Sequence, residues 1–168
     1  YENKYYKFKY LGTVPSDFEE ISYNNIDKLD FERLLNKKKY KLGMVINLDK
    51  SNQKGSHWVS LYVNLKRKQI YFFDSVGHDP LKRIYNFMNK IYKSFTNEDI
   101  NRELINKKNQ NDFDIRINKI QHQEGDSECG VYSMNFIIRL LRGETFDEIT
   151  NNITKDKNMM ECRKSYFR

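Results

Sequence analysis

The chain has 168 residues, a net charge of +7 and a sequence pI of about 9.2. This length suits one domain that buries its own core, so we expect a single domain over 1–168, with an N-terminal accessory segment and helix over 1–40 and a core over 41–168. No apolar run is long enough for a membrane span, which argues against a membrane protein. Because the chain begins with Tyr1 instead of methionine, we interpret it as a fragment of a longer chain or a processed form.

Charge and cysteine content limit the function classes further. The 30 Lys and Arg residues are dispersed among 23 acidic ones, and their longest run, Lys37–Lys39, is explained by a helix end. Non-specific DNA binding is therefore a less favoured expectation that stays open. A disulfide between Cys129 and Cys162 is one alternative, but no apolar leader stands at the amino end, so we expect two reduced thiols in a reducing compartment.

The N-terminal quarter predicts little regular structure before one helix. Residues 1–10 favour an edge strand or an ordered arm, and 12–18 favour a loop in which proline fixes a turn. Asn24 or Asn25 can cap a helix over about 26–35, because apolar residues recur there at helical spacing.

A buried strand, a hairpin and an amphipathic helix are predicted next. Leu42–Asp49 contains a short apolar run. Alternation over Val59–Leu65 and Ile70–Phe73 predicts two strands joined by a turn at Lys66–Lys68. The following helix, Pro80–Phe95, carries an apolar stripe that belongs to the core.

The last third of the chain predicts one strand and several helices. The helix that begins at Cys129 is apolar on nearly every face, which is typical of a helix buried inside a domain, and Gly143 is expected to end it. The predicted elements are a surface helix within 96–112, a strand over Phe113–Ile117, a buried helix over Cys129–Leu141 capped by Asp126 or Ser127, a short helix over Thr145–Ile149 and a terminal helix over Asp156–Phe167.

The position of Cys129 predicts a reactive thiol. A cysteine at the N-terminus of a helix faces unpaired amides and the positive end of the dipole, which can lower its pKa from about 8.5 to about 3.5–7.5. The thiolate is the nucleophilic form. Gln123 lies six residues upstream across a Gly125-Asp126 turn, and its uncharged amide can donate to an oxyanion without titrating.

His57 is the first candidate for a general base, because it stands at the mouth of the hairpin. We expect the turn to pair Leu65 with Lys68. The same register places Val59 opposite Asp74 and makes His57 the diagonal neighbour of that carboxylate. A register shift of one residue would put the base and the carboxylate on opposite faces.

Two other histidines compete for this role. His78 sits in a turn and is expected to point outward, and His122 alternates away from Gln123 if the segment is extended. A zinc site built from the three histidines and Cys129 lacks the paired short spacings of metal knuckles, so no metal is expected. Cys162 has no histidine near it in sequence and is expected to pack rather than to catalyse.

Six residues share an order and spacing that are specific in combination: His57-Trp58, Asp74, Gln123 and Cys129-Gly130. With them, the chain resembles the adenain and ubiquitin-like-protein-specific cysteine protease superfamily. The segments GSHWVSLYV, YFFDS and ECGVYSMNFIIRLLRGETFDEI and the ending MMECRKSYFR are most similar to maturation-type proteases of large nucleocytoplasmic DNA viruses. The resemblance covers about residues 11–168. It implies an α+β, papain-like fold, in which a small central mixed sheet packs against a buried helix with the cysteine at its N-terminus.

The resemblance also implies a role for each matching residue. Trp58 matches an aromatic that walls a narrow slot for a Gly-Gly type substrate strand, and Gly130 becomes a substrate-binding position beside the nucleophile. The implied catalytic residues are Cys129 as the nucleophile, His57 as the general base, Asp74 as its orienting partner and Gln123 as the oxyanion donor.

Two positions depart from the family pattern. The cellular branch has a second tryptophan in a Trp-Leu-Asn-Asp motif, whereas this chain has Val14-Pro15-Ser16-Asp17, in which only Asp17, a substrate-binding candidate, matches. The slot is therefore expected to be more open on one side, which weakens the expectation of a SUMO-like or ubiquitin-like partner. Glu128 stands before the cysteine where aspartate is common, a change of small expected effect.

The expected function is that of a cysteine endopeptidase that cleaves after small residues, at Gly-Gly or Gly-X sites, and processes viral structural or core precursor proteins. The alternative is a processing or deconjugating protease for ubiquitin-like modifiers. A non-catalytic binding module is a third hypothesis, weakened by the intact set of catalytic residues. We expect a monomer with a protein or peptide substrate and no cofactor, located in the virion or the host cytoplasm.

Overall fold

A five-stranded mixed sheet forms the centre of the computed structural model, which describes residues 1–21, 25–107 and 113–166. The strands are β1 Phe8–Pro15, β2 Lys41–Asn47, β3 Trp58–Asn64, β4 Gln69–Phe73 and β5 Asp114–Ile117. Their spatial order follows the chain. β1 is parallel to β2, β3 is antiparallel to both of its neighbours, and β5 is parallel to β4.

Helices cover both faces of this sheet. The α-helices are α1 Phe31–Asn36, α2 Lys82–Thr96, α3 Cys129–Arg142, α4 Phe146–Asn151 and α5 Asp156–Tyr166, with short 3-10 helices at Ile26–Lys28 and Arg102–Leu104. Within the described ranges, no helix is both long and apolar enough to cross a membrane. The arrangement confirms the expected α+β fold around a central mixed sheet.

The two faces of the sheet belong to two cores. On one face, Leu61 and Phe72 pack in the same core as Phe87 of α2. On the other face, Tyr62 packs in the same core as Phe136 of α3. Successive residues of a strand point to opposite faces, so burial of both faces explains why β2 and β3 are nearly continuous apolar runs.

The β3–β4 hairpin has the register that the sequence predicts. Ser60 pairs with Phe73. The next position along the ladder therefore sets Val59 opposite Asp74, and His57 becomes the diagonal neighbour of the carboxylate. The base and its partner lie on one face because the turn has the expected length.

The prediction of a single helix over 26–35 is wrong. A 3-10 turn at Ile26–Lys28 is followed by extended backbone, and α1 begins only afterwards. The Asp30 carboxylate accepts the backbone N–H of Arg33 at 2.9 Å. An aspartate that bonds forward in this way starts a new helix, because its side chain competes for the backbone groups that a continuous helix would use.

Two expected helix caps are also not formed by the residues proposed for them. Asn25 is left-handed, with φ 53°, and makes no side-chain cap, while Asn24 lies outside the described residues. Glu128, not Asp126 or Ser127, occupies the N-cap position of α3, and its side chain makes no cap hydrogen bond. The N-terminus of the helix that carries the cysteine therefore keeps its backbone donors available.

The edge strand β1 extends further than expected. A loop was predicted from residue 12, but pairing with β2 continues to Pro15 after an irregularity between Tyr10 and Gly12. Gly12 adopts φ 115°, a conformation that glycine enters at low cost. Proline is tolerated at the end of β1 because an edge strand needs no N–H on its open side.

The remaining predicted elements are confirmed with small shifts at their ends. α2 starts at Lys82 rather than at proline, and the segment within 96–112 contains a 3-10 turn, with 108–112 outside the described residues. Gly143 ends α3 with φ 105°, and Thr145 forms a capping box at the start of α4. α5 reaches Tyr166, beyond which the structure is not described.

We expect Phe136→Ala to lower the free energy of unfolding by about 3–5 kcal/mol. The ring is 1% exposed and stacks on Phe73 with centroids 4.7 Å apart, so its removal leaves a cavity between sheet and helix. Urea denaturation followed by circular dichroism measures the change. Ile153→Ala, at a side chain 53% exposed, is the control and should change stability by less than about 0.5 kcal/mol. Equal effects of the two variants would contradict the core assignment.

Candidate active site

The first turn of α3 and the start of β3 bring Cys129 beside His57. The Ser133 hydroxyl, one turn further along α3, donates to the Trp58 carbonyl at 3.1 Å and ties the helix to the first residue of the strand. His57 immediately precedes that residue. As a result, the imidazole and the thiol lie close enough for each to shift the pKa of the other.

Asp74, directly after β4, orients the imidazole. His57 Nε2 lies 2.7 Å from Asp74 Oδ1, and the carboxylate is 1% exposed. The Val76 backbone N–H donates to the same oxygen at 2.8 Å, and Asn118 Nδ2 donates to the Asp74 carbonyl at 2.7 Å. With Nε2 occupied by a fixed carboxylate, the ring turns Nδ1 toward the thiol. The structure thus brings together the three residues predicted as nucleophile, base and orienting partner.

The surroundings favour a thiolate–imidazolium pair. Burial alone would raise the pKa of the Cys129 thiol. Hydrogen bonds from His57 and from the backbone N–H groups of Trp58 and Gly130, with the imidazole charge, outweigh burial and lower that pKa below its usual value. Hydrogen bonds to Asp74 and to the thiol raise the pKa of His57 to about 9, against the effect of burial. Between these two pKa values the sulfur is charged and the ring is protonated.

A cleft of about 390 Å³ opens at Cys129. Trp58 and Gly130 line it beside Cys129, and Thr13 of β1 and Val45 of β2 line it further along. A Cβ placed at residue 130 would lie 3.9 Å from the indole, so a side chain larger than methyl would meet the ring. The cleft therefore combines an aromatic wall with bare backbone, which suits a thin peptide strand.

Gln123 is 3% exposed and held at both ends of its amide. Its Oε1 accepts the Ser75 hydroxyl at 2.8 Å, and its Nε2 donates to the Gly125 carbonyl at 2.7 Å. An amide nitrogen carries two hydrogens, so one donor remains for a further acceptor. A fixed, uncharged donor is what an oxyanion site requires. The assignment of that role to Gln123 stays a prediction.

Asp17 lies outside the cleft that contains the cysteine. Its carboxylate accepts the backbone N–H and the hydroxyl of Ser51 at 2.9 and 2.8 Å, and it borders a separate cavity of about 150 Å³ beside Arg83. Burial would raise the pKa of Asp17, but the Ser51 hydrogen bonds outweigh it and lower that pKa. Asp17 thereby ties down the loop that leads to Ser56, which does line the cleft. Its substrate-binding role stays a prediction.

The competing histidines are placed differently from His57. His78 Nδ1 lies 3.7 Å from Asp74 Oδ2, but the side chain is 73% exposed and points outward, as expected. His122 is buried with Nε2 3.1 Å from the Thr150 carbonyl, and burial lowers its pKa. Among the residues that the structure describes, no group of three or more His, Cys, Asp or Glu could hold a metal ion.

Several polar contacts of the site were not anticipated from the sequence. Ser75 holds Gln123, and Asn118 holds the backbone after β4. One signal could have revealed both: each follows the end of a strand, and β4 and β5 are parallel neighbours whose ends lie side by side. Arg163 lines the cleft from α5, and no local pattern connects it with Cys129.

Comparison with known proteins assigns the domain. The model of the Ulp1 protease family, C-terminal catalytic domain, matches residues 15–168. The chain belongs to this family. A protein of Acanthamoeba polyphaga mimivirus, which its name proposes to be a thiol protease, is 36% identical over 100% of this chain and 52% of its own length. A cysteine protease of African swine fever virus is 26% identical over 98% of this chain and 62% of its own length. The chain thus spans between one half and two thirds of the curated relatives that it matches.

Two solved structures have the same fold as this member of the Ulp1 protease family. A crystal structure of an African swine fever virus protease matches with a TM-score of 0.76 and 23% identity, over 99% of this chain and 62% of its own. The C-terminal Ulp1 protease domain, in complex with Smt3, the yeast ortholog of SUMO, matches with a TM-score of 0.55 and 22% identity, over 90% of this chain and 64% of its own. The fold and the superfamily expected from the sequence are confirmed, and the enzyme class agrees with the names of the relatives.

We expect the pH dependence of Cys129 alkylation by iodoacetamide to report the ionisation of both the Cys129 thiol and His57. The rate should rise as the pH passes the lowered pKa of the thiol and level off until about pH 9, where His57 loses its proton. In His57→Ala the rise should move toward the ordinary thiol value, about pH 8.5, because the stabilising cation is gone. Mass spectrometry in a Cys162→Ser background follows one thiol. Coinciding profiles for His57→Ala and its parent would contradict the pairing.

Proposed function

We propose that the chain is the catalytic domain of a cysteine endopeptidase that cleaves after small residues, at Gly-Gly or Gly-X sites. The observation that carries this proposal is the Cys129 thiol, which lies beside the His57 imidazole held by Asp74 and lines a cleft walled by Trp58. The family match over residues 15–168 supports the same reaction class. The intact pair also argues against the hypothesis of a non-catalytic binding module.

The chemistry proceeds by nucleophilic catalysis. The Cys129 thiolate attacks the scissile carbonyl, and the developing oxyanion is held by the Cys129 backbone N–H and the spare Nε2 hydrogen of Gln123. Collapse of this intermediate breaks the C–N bond, and His57 gives its proton to the leaving amine. Water then attacks the thioester and the neutral imidazole accepts its proton. The C–S bond then breaks and releases the carboxylic acid product. The protonated His57 and the Cys129 thiolate are thereby regenerated, and Asp74 keeps the imidazole oriented throughout.

The preference for glycine follows from the shape of the cleft. The indole of Trp58 stands next to the backbone of Gly130, beside the nucleophile. A substrate residue that passes this place with a side chain would collide with the ring, whereas glycine presents only backbone. Discrimination therefore comes from exclusion, which needs no specific hydrogen bond to the substrate.

The proposed substrates are structural or core precursor proteins of a virus, because the relatives named above are viral proteins. We further propose that the domain works as a monomer in the virion or the host cytoplasm. Non-specific DNA binding remains a subsidiary proposal that rests only on the net charge of +7. The chain covers 52% and 62% of the length of these two relatives. The proposal therefore concerns the catalytic domain, not the activity and substrates of a longer protein.

The second candidate is a protease for ubiquitin-like modifiers, favoured by the fold shared with the Ulp1 domain bound to Smt3. One feature weakens it. Where the cellular branch has its second tryptophan, this chain has Val14, which is 5% exposed and packs in the core on the α2 side of the sheet. The cleft is bordered at β1 by Thr13 instead. A tail of Gly-Gly type would thus have one aromatic wall rather than two.

A vinyl methyl ester joined to a Gly-Gly peptide is expected to form an adduct on Cys129, because the thiolate adds to the activated alkene. Intact and peptide mass spectrometry locate the adduct. Cys129→Ala should keep the circular dichroism spectrum and lose both labelling and peptide cleavage. Labelling only when the electrophile carries a ubiquitin-like domain would favour the second candidate, and no labelling in either form would contradict both.

We expect Trp58→Ala to reduce the preference for glycine over alanine before the scissile bond by at least about tenfold in kcat/KM. Without the indole, the cleft has room for the methyl group of alanine, so kcat/KM for the alanine substrate should rise. Paired peptides that differ only at this residue supply the measurement. Trp58→Phe, which keeps an aromatic wall, is the matched control. An unchanged Gly/Ala ratio in Trp58→Ala would refute the exclusion argument.

A further inference from the structure

The N-terminus of α5 holds one end of the turn that precedes α3, residues 124–128, which we call the 124–128 turn. Asp156 Oδ2 accepts the backbone N–H of Gly125 at 2.7 Å and that of Glu124 at 3.2 Å. Burial would raise the pKa of Asp156, but a hydrogen bond from Tyr132 and these two N–H groups outweigh it and lower that pKa. The carboxylate is therefore an ionised acceptor for the turn.

This contact continues to the predicted oxyanion donor. The Gly125 carbonyl accepts Nε2 of Gln123 at 2.7 Å, so the residue that Asp156 holds is the one that aims the Gln123 amide. A Cβ at residue 125 would lie 3.2 Å from Asp156 Oδ2. Glycine at this position lets the carboxylate approach the backbone. Asp156 is thus connected to the amide through a single residue, Gly125.

The second half of α5 holds the other end of the same turn. Arg163 Nη2 donates to the Ser127 carbonyl at 2.9 Å, and Arg163 Nε donates to Glu128 Oε2 at 3.0 Å. Glu128 is 6% exposed and directly precedes the nucleophile, so its charge needs this partner. The guanidinium also lines the cleft. Arg163 therefore acts on the residue whose backbone leads into the Cys129 N–H.

We propose that Asp156 and Arg163 are positioning residues, which hold the 124–128 turn from its two ends so that the Gln123 amide and the Cys129 N–H point at one oxyanion. This inference deepens the proposed function and rests on it. Packing alone does not account for the two residues. Met159, which is 1% exposed, packs α5 into the core. The Arg163 side chain is 50% exposed, and its hydrogen bonds go to the 124–128 turn.

The first test distinguishes a loss of oxyanion-donor positioning from a loss of protein stability and from a loss of the Cys129 thiolate. In Asp156→Ala and Arg163→Gln, kcat for a Gly-Gly peptide should fall about 10- to 100-fold with KM nearly unchanged, because the donors serve the transition state. Alkylation of Cys129 by iodoacetamide uses no oxyanion donor and should keep its rate. Asp156→Asn and Arg163→Lys, which retain part of the hydrogen bonding, should recover part of kcat. Lys157→Gln and Glu161→Ala, exposed on the same helix, are the controls and should match the parent.

A double-mutant cycle shows whether Asp156 acts through Gln123. Gln123→Ala alone should cost about 10²–10³ in kcat, as loss of an oxyanion donor does. In that background Asp156→Ala should add little, since the amide that it positions is already absent. Fully additive losses, losses confined to KM, or equal losses in the controls would overturn the inference.

Hydrogen exchange of the resting protein tests the same contact without turnover. Asp156→Ala and Arg163→Gln should speed exchange in peptides that cover 121–130 and leave the β3–β4 hairpin unchanged. Exchange in 121–130 equal to that of the parent would overturn the inference even if the enzyme is active. A parent chain that alkylates readily but cleaves no Gly-Gly peptide would instead defeat the proposed function, and the exchange result would then decide the positioning role alone.

Discussion

The site depends above all on the packing of α3 against β3. Cys129 and His57 are distant in sequence, and they meet because an almost wholly apolar helix must be buried and finds its place on the inner strands of the sheet. The Ser133–Trp58 hydrogen bond then fixes the height of the helix along the strand. A slip of one helical turn would move the thiol about 5.4 Å and separate it from the imidazole.

Glu128, at the N-cap of this helix, offers the N-terminal backbone donors no side-chain cap. In most helices a Ser, Thr, Asp or Asn would accept one of these N–H groups, and Asp126 or Ser127 stands close enough in sequence to do so. Here the Gly130 N–H is left for the sulfur, and in the proposed mechanism the Cys129 N–H is left for the charge that develops on the substrate. The missing cap is a local departure from the usual chemistry of helix ends, at the place where function needs free amides.

The walls of the cleft come from two kinds of element: core elements on one side and an edge strand on the other. Trp58 and Gly130 belong to the rigid pair of β3 and α3, so the aromatic side of the cleft is set by the core itself. The side at β1 is formed by an edge strand, and Val14 there turns into the opposite core rather than toward the cleft. Neither Cys129 nor His57 lies on β1, so this side of the cleft is set separately from the thiol and the imidazole.

The sequence by itself determined the elements whose periodicity is local. Alternation and turn length set the hairpin register and so joined His57 to Asp74, and the apolar run after Cys129 determined the buried helix. Only the tertiary structure decided the contacts between separate elements: the continuation of β1, the break before α1, and the hold of Ser75, Asn118, Asp156 and Arg163 on the site. Local patterns report which face of an element is buried, whereas these hydrogen bonds arise from docking distant segments, and no spacing along the chain encodes them.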